Sequence, residues 1–451
     1  MSIYTNLTTK LSRWLLLAIF SISVLSSLAF AENSANKQVL PIQHWTTKNG
    51  AEVYYVHTKE LPLIDVQIAF AAGSDRDGKS PGLANFTGNT LDEGTQHLSA
   101  DEIAAGFENL GAKYDIDTSK EMTLIALRSL TKPELLNPAL NLFSQLLSQP
   151  SFPNDNFKRV QKNTLSALQA QQQSPETIAT QEFFKALYNQ SPYAQPILGN
   201  PNSVAAITPQ QVKQFYDQYY VSKNAVIAMV GDVDELRAQQ IAEQITQNLP
   251  HGNKAIAIQP LQNTTSKTVT IKYPSNQTYI RLGDLGISPH AKNYFPLIVG
   301  NYILGSGMVS RLFKEVREQR GLSYGIYSYF QPMSAKGPFL VSLQTRNNQT
   351  QQALDITKQV LQKYISGGPT QDELTAAKQN ILGSFPLRFA SNSDIASIIL
   401  QMGFYHLPFD YLDTYRANVE KVTTTDIQKA FQEIINPNKL ITVVVGGNNL
   451  S

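Results

Sequence analysis

Ile207-Thr208-Pro209-Gln210-Gln211-Val212 runs on through Phe215-Tyr216 and Tyr219-Tyr220 to Ala225-Val226-Ile227-Ala228-Met229-Val230-Gly231. Near the end of the chain the same pattern returns as Val422-Thr423-Thr424-Thr425-Asp426-Ile427, then Phe431, Ile435 and Leu440-Ile441-Thr442-Val443-Val444-Val445-Gly446. Thr208 and Thr423, Val212 and Ile427, Tyr216 and Phe431, and Gly231 and Gly446 each stand 215 positions apart, so the register holds without a gap. Each copy reads as a Thr-capped amphipathic helix followed by a β-branched strand that a glycine closes. A constant offset over that length makes the chain a duplication of one plan.

Other segments follow the same duplication. A helix over 134–147, Ser151-Phe152-Pro153 and a helix over 155–171 parallel a helix over 351–365, Gly367-Gly368-Pro369 and a helix over 371–385. The halves open alike, with extended runs at 50–57 and 63–70 in the first and at 268–273 and 279–285 in the second. The expected division is residues 38–249, a polar linker at 250–265, and residues 266–448. Strands that neighbour one another, in blocks alternating with helices, argue for α+β layers rather than a doubly wound parallel sheet.

At 451 residues with 42% apolar content the chain can bury more than one core. Its net charge of +2, with no basic stripe, excludes nucleic acid as the expected partner. Lys10 and Arg13, an apolar run over 14–28 broken by serines, and Ala29-Phe30-Ala31 read as a secretory signal peptide over 1–31. The run falls short of the roughly 20 residues that span a bilayer. The mature chain is therefore expected in the periplasm, without stable membrane insertion after signal cleavage. Cysteine is absent, which excludes disulfides, a thiol nucleophile, a Cys-ligated metal and a lipid-modified Cys.

Gly82-Leu83-Ala84-Asn85-Phe86-Thr87-Gly88-Asn89-Thr90-Leu91-Asp92-Glu93-Gly94-Thr95 resembles the signature of the pitrilysin/insulinase family of zinc peptidases. In that family Gly-Leu-Ala leads into His-x-x-Glu-His and Gly-Thr closes the segment, on a helix that ends in a turn. Here Asn85 and Asn89 stand where the histidines would be, and Gly88 replaces the glutamate. A catalytic zinc takes three protein ligands, and two His at i and i+4 present both nitrogens on one helix face. Amides are poor substitutes, and glycine offers no general base. The family's third ligand is a glutamate well downstream on another helix, yet no acidic residue occurs from Asn156 to Pro175. The six histidines, at 44, 57, 97, 251, 290 and 406, include no two within a helical turn of each other. Glu93 and His97, four apart, straddle Gly94-Thr95 and read as a solvated loop rather than a rebuilt metal site. No metal or other cofactor is expected in this chain.

The resemblance spans about residues 38–448. Gly111-Ala112 with Thr118-Ser119 and Thr123, Ser191-Pro192-Tyr193 with Leu198-Gly199 and Val204, and Phe215 to Tyr220 with Asn224-Ala225 and Val230-Gly231-Asp232 all resemble family segments. In the second half, Ser310-Arg311-Leu312-Phe313-Lys314-Glu315-Val316-Arg317-Glu318-Gln319-Arg320-Gly321-Leu322-Ser323-Tyr324 is similar to the family's Arg/Tyr segment. There an arginine and a tyrosine seven positions on reach the zinc site; here they are Arg317 and Tyr324. A helix from about Val309 that stops at Gly321, then a strand from Leu322 to Tyr327, would let the two converge. An arginine beside Glu315 and Glu318 also suits a solvated ion-pair face. Gly305-Ser306-Gly307 lacks the Gly-Lys-Ser/Thr end of a phosphate loop and reads as a backbone turn packed on the following helix.

The resemblance implies two homologous mixed α/β halves, each a sheet with helices on one face, arranged as a clamshell as in the mitochondrial processing peptidase. It also implies a non-catalytic subunit of a periplasmic heteromeric zinc peptidase. Arg317 and Tyr324 would then act in trans on a peptide substrate, with zinc in the partner subunit of the same family. The alternative is an inactive peptidase-fold scaffold or peptide-binding protein with no part in hydrolysis. A self-sufficient hydrolase has no recognisable Ser/His/Asp arrangement to support it.

Overall fold

The computed structural model describes residues 38–261 and 266–447, and residues from Ile42 onward cluster as one compact unit. The expected signal segment and residues 262–265 of the expected linker lie outside the described residues. The first half contributes β1 (Gln43–Thr46), β2 (Glu52–His57), β3 (Leu63–Phe70), β4 (Lys113–Thr118), β5 (Thr123–Leu130) and β6 (Ala225–Gly231). The second contributes β7 (Thr268–Lys272), β8 (Gln277–Leu285), β9 (Ile326–Phe330), β10 (Pro338–Arg346) and β11 (Ile441–Gly446).

The two sheets repeat one topology. Strand order is β1-β2-β6-β3-β5-β4 in the first and β7-β11-β8-β10-β9 in the second, identical once β1 is set aside. In each, the strand from the duplicated segment sits inside the sheet, parallel to the opening strand and antiparallel to the next (β6 with β2 and β3, β11 with β7 and β8). The helices also pair. In the first half they are α1 (Leu83–Gly88), α2 (Ala100–Asn109), α3 (Pro133–Ser148), α4 (Asn154–Gln172), α5 (Pro175–Tyr188), α6 (Pro209–Tyr219) and α7 (Glu235–Thr246). In the second they are α8 (Tyr294–Gly305), α9 (Thr350–Gly367), α10 (Gln371–Ser384), α11 (Asn392–Phe404), α12 (Tyr411–Lys421) and α13 (Thr424–Ile434). Both threonines of the repeat cap as expected: Thr208 forms a capping box with Gln211, and Thr423 with Asp426.

One face of each sheet carries its own helices. Val66, Ile68 and Phe70 of β3 and Ile125 and Leu127 of β5 share a core with Leu140 and Phe143 of α3 and Ile241 of α7. The opposite face is closed by a helix from the other half. Helix α5 lays Ala179, Phe183 and Leu187 over Leu340, Ile441 and Val443 of the second sheet, and α11 packs on β2, β3 and β6 of the first. Phe183 and Leu187 are each worth about 1.5–3 kcal/mol when fully buried. The one-sided sheets expected from the sequence are thus two-sided, by exchange.

Equivalent buried polar residues pin the exchanged helices. Gln67 lies opposite Ala228, and Arg281 opposite Val443, the same place in each sheet. Gln67 Nε2 donates to Ser397 Oγ at 3.1 Å and to the Ser393 carbonyl at 3.4 Å. Arg281 donates to Thr180 Oγ1 at 3.1 Å and to Glu176 Oε1 at 3.0 Å. Thr180 and Ser397, Glu176 and Ser393, and the capping Ser174 and Ser391 all stand 217 positions apart. The tyrosines beyond them keep that offset. Tyr188 OH donates to the Lys336 carbonyl at 3.1 Å, and Tyr405 OH to Glu121 Oε2 at 2.9 Å, each on the hairpin turn of the host sheet.

Breaking either pin should cost stability without changing the fold. Arg281→Ala is expected to lower the unfolding free energy by about 1.5–3 kcal/mol and Gln67→Ala by about 1–2 kcal/mol. The double variant should be additive, because the pins sit on different sheets. Urea unfolding followed by circular dichroism measures both; a loss under about 0.5 kcal/mol for Arg281→Ala would remove its assigned role.

Candidate functional site

Helix α1 carries the segment in which metal-binding residues would sit. It has six residues, and its start is organised by Asp77, whose Oδ2 accepts from Gly82 N at 2.6 Å and Oδ1 from Ala84 N at 2.7 Å. Asn85 is half-buried and Asn89 exposed, four apart on one face, and Asn89 Nδ2 donates to Asn85 Oδ1 at 3.0 Å. The i, i+4 geometry of a ligand pair is therefore kept, while the two amides satisfy each other.

Gly88 is buried and faces the first sheet. A Cβ there would lie 2.7 Å from Thr118 Oγ1 and 3.6 Å from Thr123 Cγ2. Those threonines are bonded to each other at 3.0 Å, and Thr123 Oγ1 also donates to the Ala72 carbonyl at 3.0 Å. The space that a catalytic glutamate would need is filled by a satisfied threonine pair. The packed face of α4 consists of Phe157, Val160, Thr164 and Leu168, with Phe157 against Phe86 of α1 at 4.9 Å between ring centres. Glu93 pairs with Arg159, and burial raises its carboxyl above the usual range against that arginine's pull. His97 is exposed. Among the described residues no group of three His, Asp or Glu side chains is placed to hold a metal ion.

The structure brings Arg317 and Tyr324 together. After one α-helical turn at Arg311 and Leu312, Phe313–Glu318 continues as a π-helix, a form frequent at functional sites. The Arg317 guanidinium lies 4.5 Å from the centre of the Phe313 ring and 5.2 Å from that of Tyr324, a stack with a ring on each contact. The ion-pair reading does not describe it. Glu315 is taken by Arg320 at 2.6 Å, and Arg311 is held by Glu373 at 2.7 Å. Among the described residues Arg317 makes only ring contacts, and Tyr324 is 78% exposed. The helix begins at Arg311 rather than Val309, and β9 begins at Ile326 rather than Leu322. Ser323 Oγ bonds the carbonyls of Gly325 and Gln344, which holds 322–325 out of the ladder and turns Tyr324 outward.

Gly305-Ser306-Gly307 ends α8 as a turn, with Ser310 Oγ donating to the Gly307 carbonyl at 2.7 Å. A Cβ at Gly305 would collide with Ser328, and Asn301 Nδ2 donates to the Ser328 carbonyl at 2.9 Å. The end of α8 therefore packs directly on Ser328 of β9.

A buried polar group at the meeting of the halves has no counterpart in the motif reading. Glu121 accepts from Tyr193 OH, Tyr405 OH and, at 2.9 Å, Ser334 N of the second half. Beside it, burial pushes Asp75 up to about 8, the Arg76 guanidinium opposing, and pushes Asp77 up to about 7 despite its two backbone bonds. Burial also brings Lys120 down to about 8. The available signal was Ser74-Asp75-Arg76-Asp77, three charges in a row at the end of the apolar strand β3.

Comparison with known proteins agrees with this geometry. Residues 52–201 match the family model described as insulinase, peptidase family M16, and residues 206–381 match the one described as peptidase M16 inactive domain. A solved structure described as a peptidase M16 inactive domain from Pseudomonas fluorescens is 38% identical, with a TM-score of 0.88 over 91% of this chain and 99% of that one. A Helicobacter pylori protein named non-peptidase homolog YmxG is 26% identical over 87% of this chain and 91% of its own length. A Bacillus subtilis protein named uncharacterized zinc protease YmxG is 26% identical over 78% and 85%.

Two measurements check the packing described here. Gly88→Glu should destabilise by about 2–4 kcal/mol, since it forces a carboxylate against Thr118 and Thr123; stability equal to the parent chain would show that the space is not filled. Asp75 has a folded pKa above its unfolded one, so its cost is absent below about pH 4, grows as the unfolded chain alone ionises, and levels off above about pH 8. Asp75→Asn should therefore gain stability over the parent as pH rises from 5 to 8, by on the order of 1 kcal/mol per unit. Parallel stability curves for the two chains would contradict this.

Proposed function

The chain belongs to the M16 family of peptidases, and from that premise we propose that it is the zinc-free subunit of a periplasmic heteromeric zinc peptidase, contributing Arg317 and Tyr324 in trans. The observation that carries this reading is the state of Arg317. It is a guanidinium in contact with two rings and, among the described residues, without a carboxylate, on a helix whose other arginines are paired and beside an exposed tyrosine. Such a group keeps its donors free for a ligand.

The residues of α1 and α4 do not suit zinc, so the metal belongs to the partner, and no step passes through a metal held here. What this chain offers is a pair of donors. A guanidinium N–H and a phenol O–H can hold a peptide carbonyl oxygen as negative charge develops on it, each worth about 3–4 kcal/mol once a partner makes the site water-poor. The rings of Phe313 and Tyr324 hold the guanidinium plane, which limits the entropy lost on engagement.

A second reading, an M16-fold scaffold or peptide-binding protein with no role in hydrolysis, draws on the relative named non-peptidase homolog. One experiment separates the two. The chain is purified together with a family member that carries an intact His-x-x-Glu-His motif, and turnover of a fluorogenic peptide is measured. Arg317→Ala and Tyr324→Phe should each lower kcat by about 10²- to 10³-fold, while co-purification is retained. Unchanged turnover in both variants would leave the scaffold reading; stoichiometric zinc with cleavage by the isolated chain would overturn both readings.

A further inference from the structure

Ser74-Asp75-Arg76 forms a single 3-10 turn at the end of β3, and its polar atoms are orphaned. Ser74 Oγ, both Asp75 carboxylate oxygens and Arg76 Nε are buried and find no hydrogen-bond partner among the described residues, with Asp75 only 5% exposed. The turn cannot rotate outward, because Ser74 N and Asp75 N are bonded to the Ser119 and Lys120 carbonyls at 3.1 and 2.9 Å. Neither nearby cation satisfies the carboxyl. Arg76 Nε stands 3.3 Å from Asp75 Oδ1 without hydrogen-bond geometry, its Nη1 being drawn to the Ile256 carbonyl at 2.6 Å. Lys120 Nζ is committed to the Gln195 carbonyl at 2.8 Å and to the Phe184 ring.

Asp75 and Arg76 line a cavity of about 920 Å³, walled by the end of α5, by Tyr219 and by the connecting segment from Ile256 to Leu261. That volume is typical of a small-molecule site. Asp77 and Glu121, the nearest other acids, are already engaged with backbone and tyrosine donors. The two Asp75 oxygens are acceptors without a donor, and a primary ammonium carries three N–H donors and no acceptor.

We propose that this cavity binds a primary ammonium group, with the two Asp75 oxygens as its acceptors. The bearer is a peptide amino terminus, a lysine side chain or a small free amine. Entry requires the Arg76 side chain to swing aside, at the loss of its one bond to Ile256. Arg317 is not among the residues that line it. Because burial holds the empty carboxyl up to about 8, an incoming ammonium displaces its proton near pH 7, and binding is coupled to proton release.

Titration calorimetry at pH 7 in two buffers of different ionisation enthalpy tests this on the full chain. The probes are n-butylamine, alanyl-alanine amide, its N-acetylated form, and N-acetyl-lysine amide. Saturable binding of at least one free-amine probe is expected, with release of up to about one proton per site, and none for the acetylated dipeptide amide. Which amines bind identifies the bearer. Asp75→Asn should weaken binding at least tenfold and abolish the proton release, and Arg317→Ala should leave binding unchanged. No saturable binding by any amine, parent-like binding in Asp75→Asn, or loss in Arg317→Ala alone would each overturn the proposal.

Discussion

The exchange of helices between the halves is the constraint on which the rest of the structure depends. A sheet with helices on one face leaves its other face to be covered, and here the cover comes from the opposite half: α5 on the second sheet and α11 on the first. Neither half completes its core alone. The bonds from Gln67 to Ser393 and Ser397 join residues more than 320 positions apart, so much of the closure is non-local and its entropy must be met before the contacts form. The arrangement of the two halves is set by α5 and α11. The same exchange brings the hairpin turns together, since Tyr405 at the end of α11 and Ser334 of the second half both donate to Glu121.

Within that frame, the missing metal chemistry has been replaced by packing rather than left as a gap. Three positions change together. Two amides bond across the face where two nitrogens would converge, a threonine pair occupies the space above Gly88, and α4 presents Phe157 and Thr164 in a segment free of carboxylates. Every one of these is a satisfied arrangement, which a merely damaged metal site would not provide. Arg317 shows the opposite condition, with its neighbours Arg311 and Arg320 paired and its own donors free of any acid. On the function proposed above, the chain's contribution lies in the part left open.

What could be read from the sequence was local. The Thr-capped helices, the β-branched strands and the 215-residue offset depend on short-range pattern, and they recur as α6 with β6 and α13 with β11. The convergence of Arg317 and Tyr324 was legible in outline, from a helix stop at Gly321, though not the π-helical turn or the Ser323 bonds that hold Tyr324 out of β9. The exchange was not legible. Ala179, Phe183 and Leu187 have ordinary helical spacing, which marks an apolar face and says nothing of which sheet it meets. Asp75 and Asp77 carry no local mark of burial, since charged runs are usually solvated and these are buried only once β3 and the β4–β5 turn are in place.

The buried acids and the exchange are linked through the same turn. Gly73 packs so closely on Lys120 and Glu121 that no Cβ could be accommodated there, which draws Ser74 and Asp75 under the β4–β5 turn at the point where Tyr405 and Ser334 arrive from the second half. Asp77 gains from this burial by fixing the start of α1 through two backbone bonds. Asp75 gains nothing comparable, since both of its oxygens lack donors. A buried carboxyl that accepts no hydrogen bond and is offset only by the Arg76 guanidinium is readily lost by drift unless something retains it. Its place beside a large cavity at the junction of the halves supplies such a reason, and it puts any ligand taken up there in contact with the contacts that hold the two halves together.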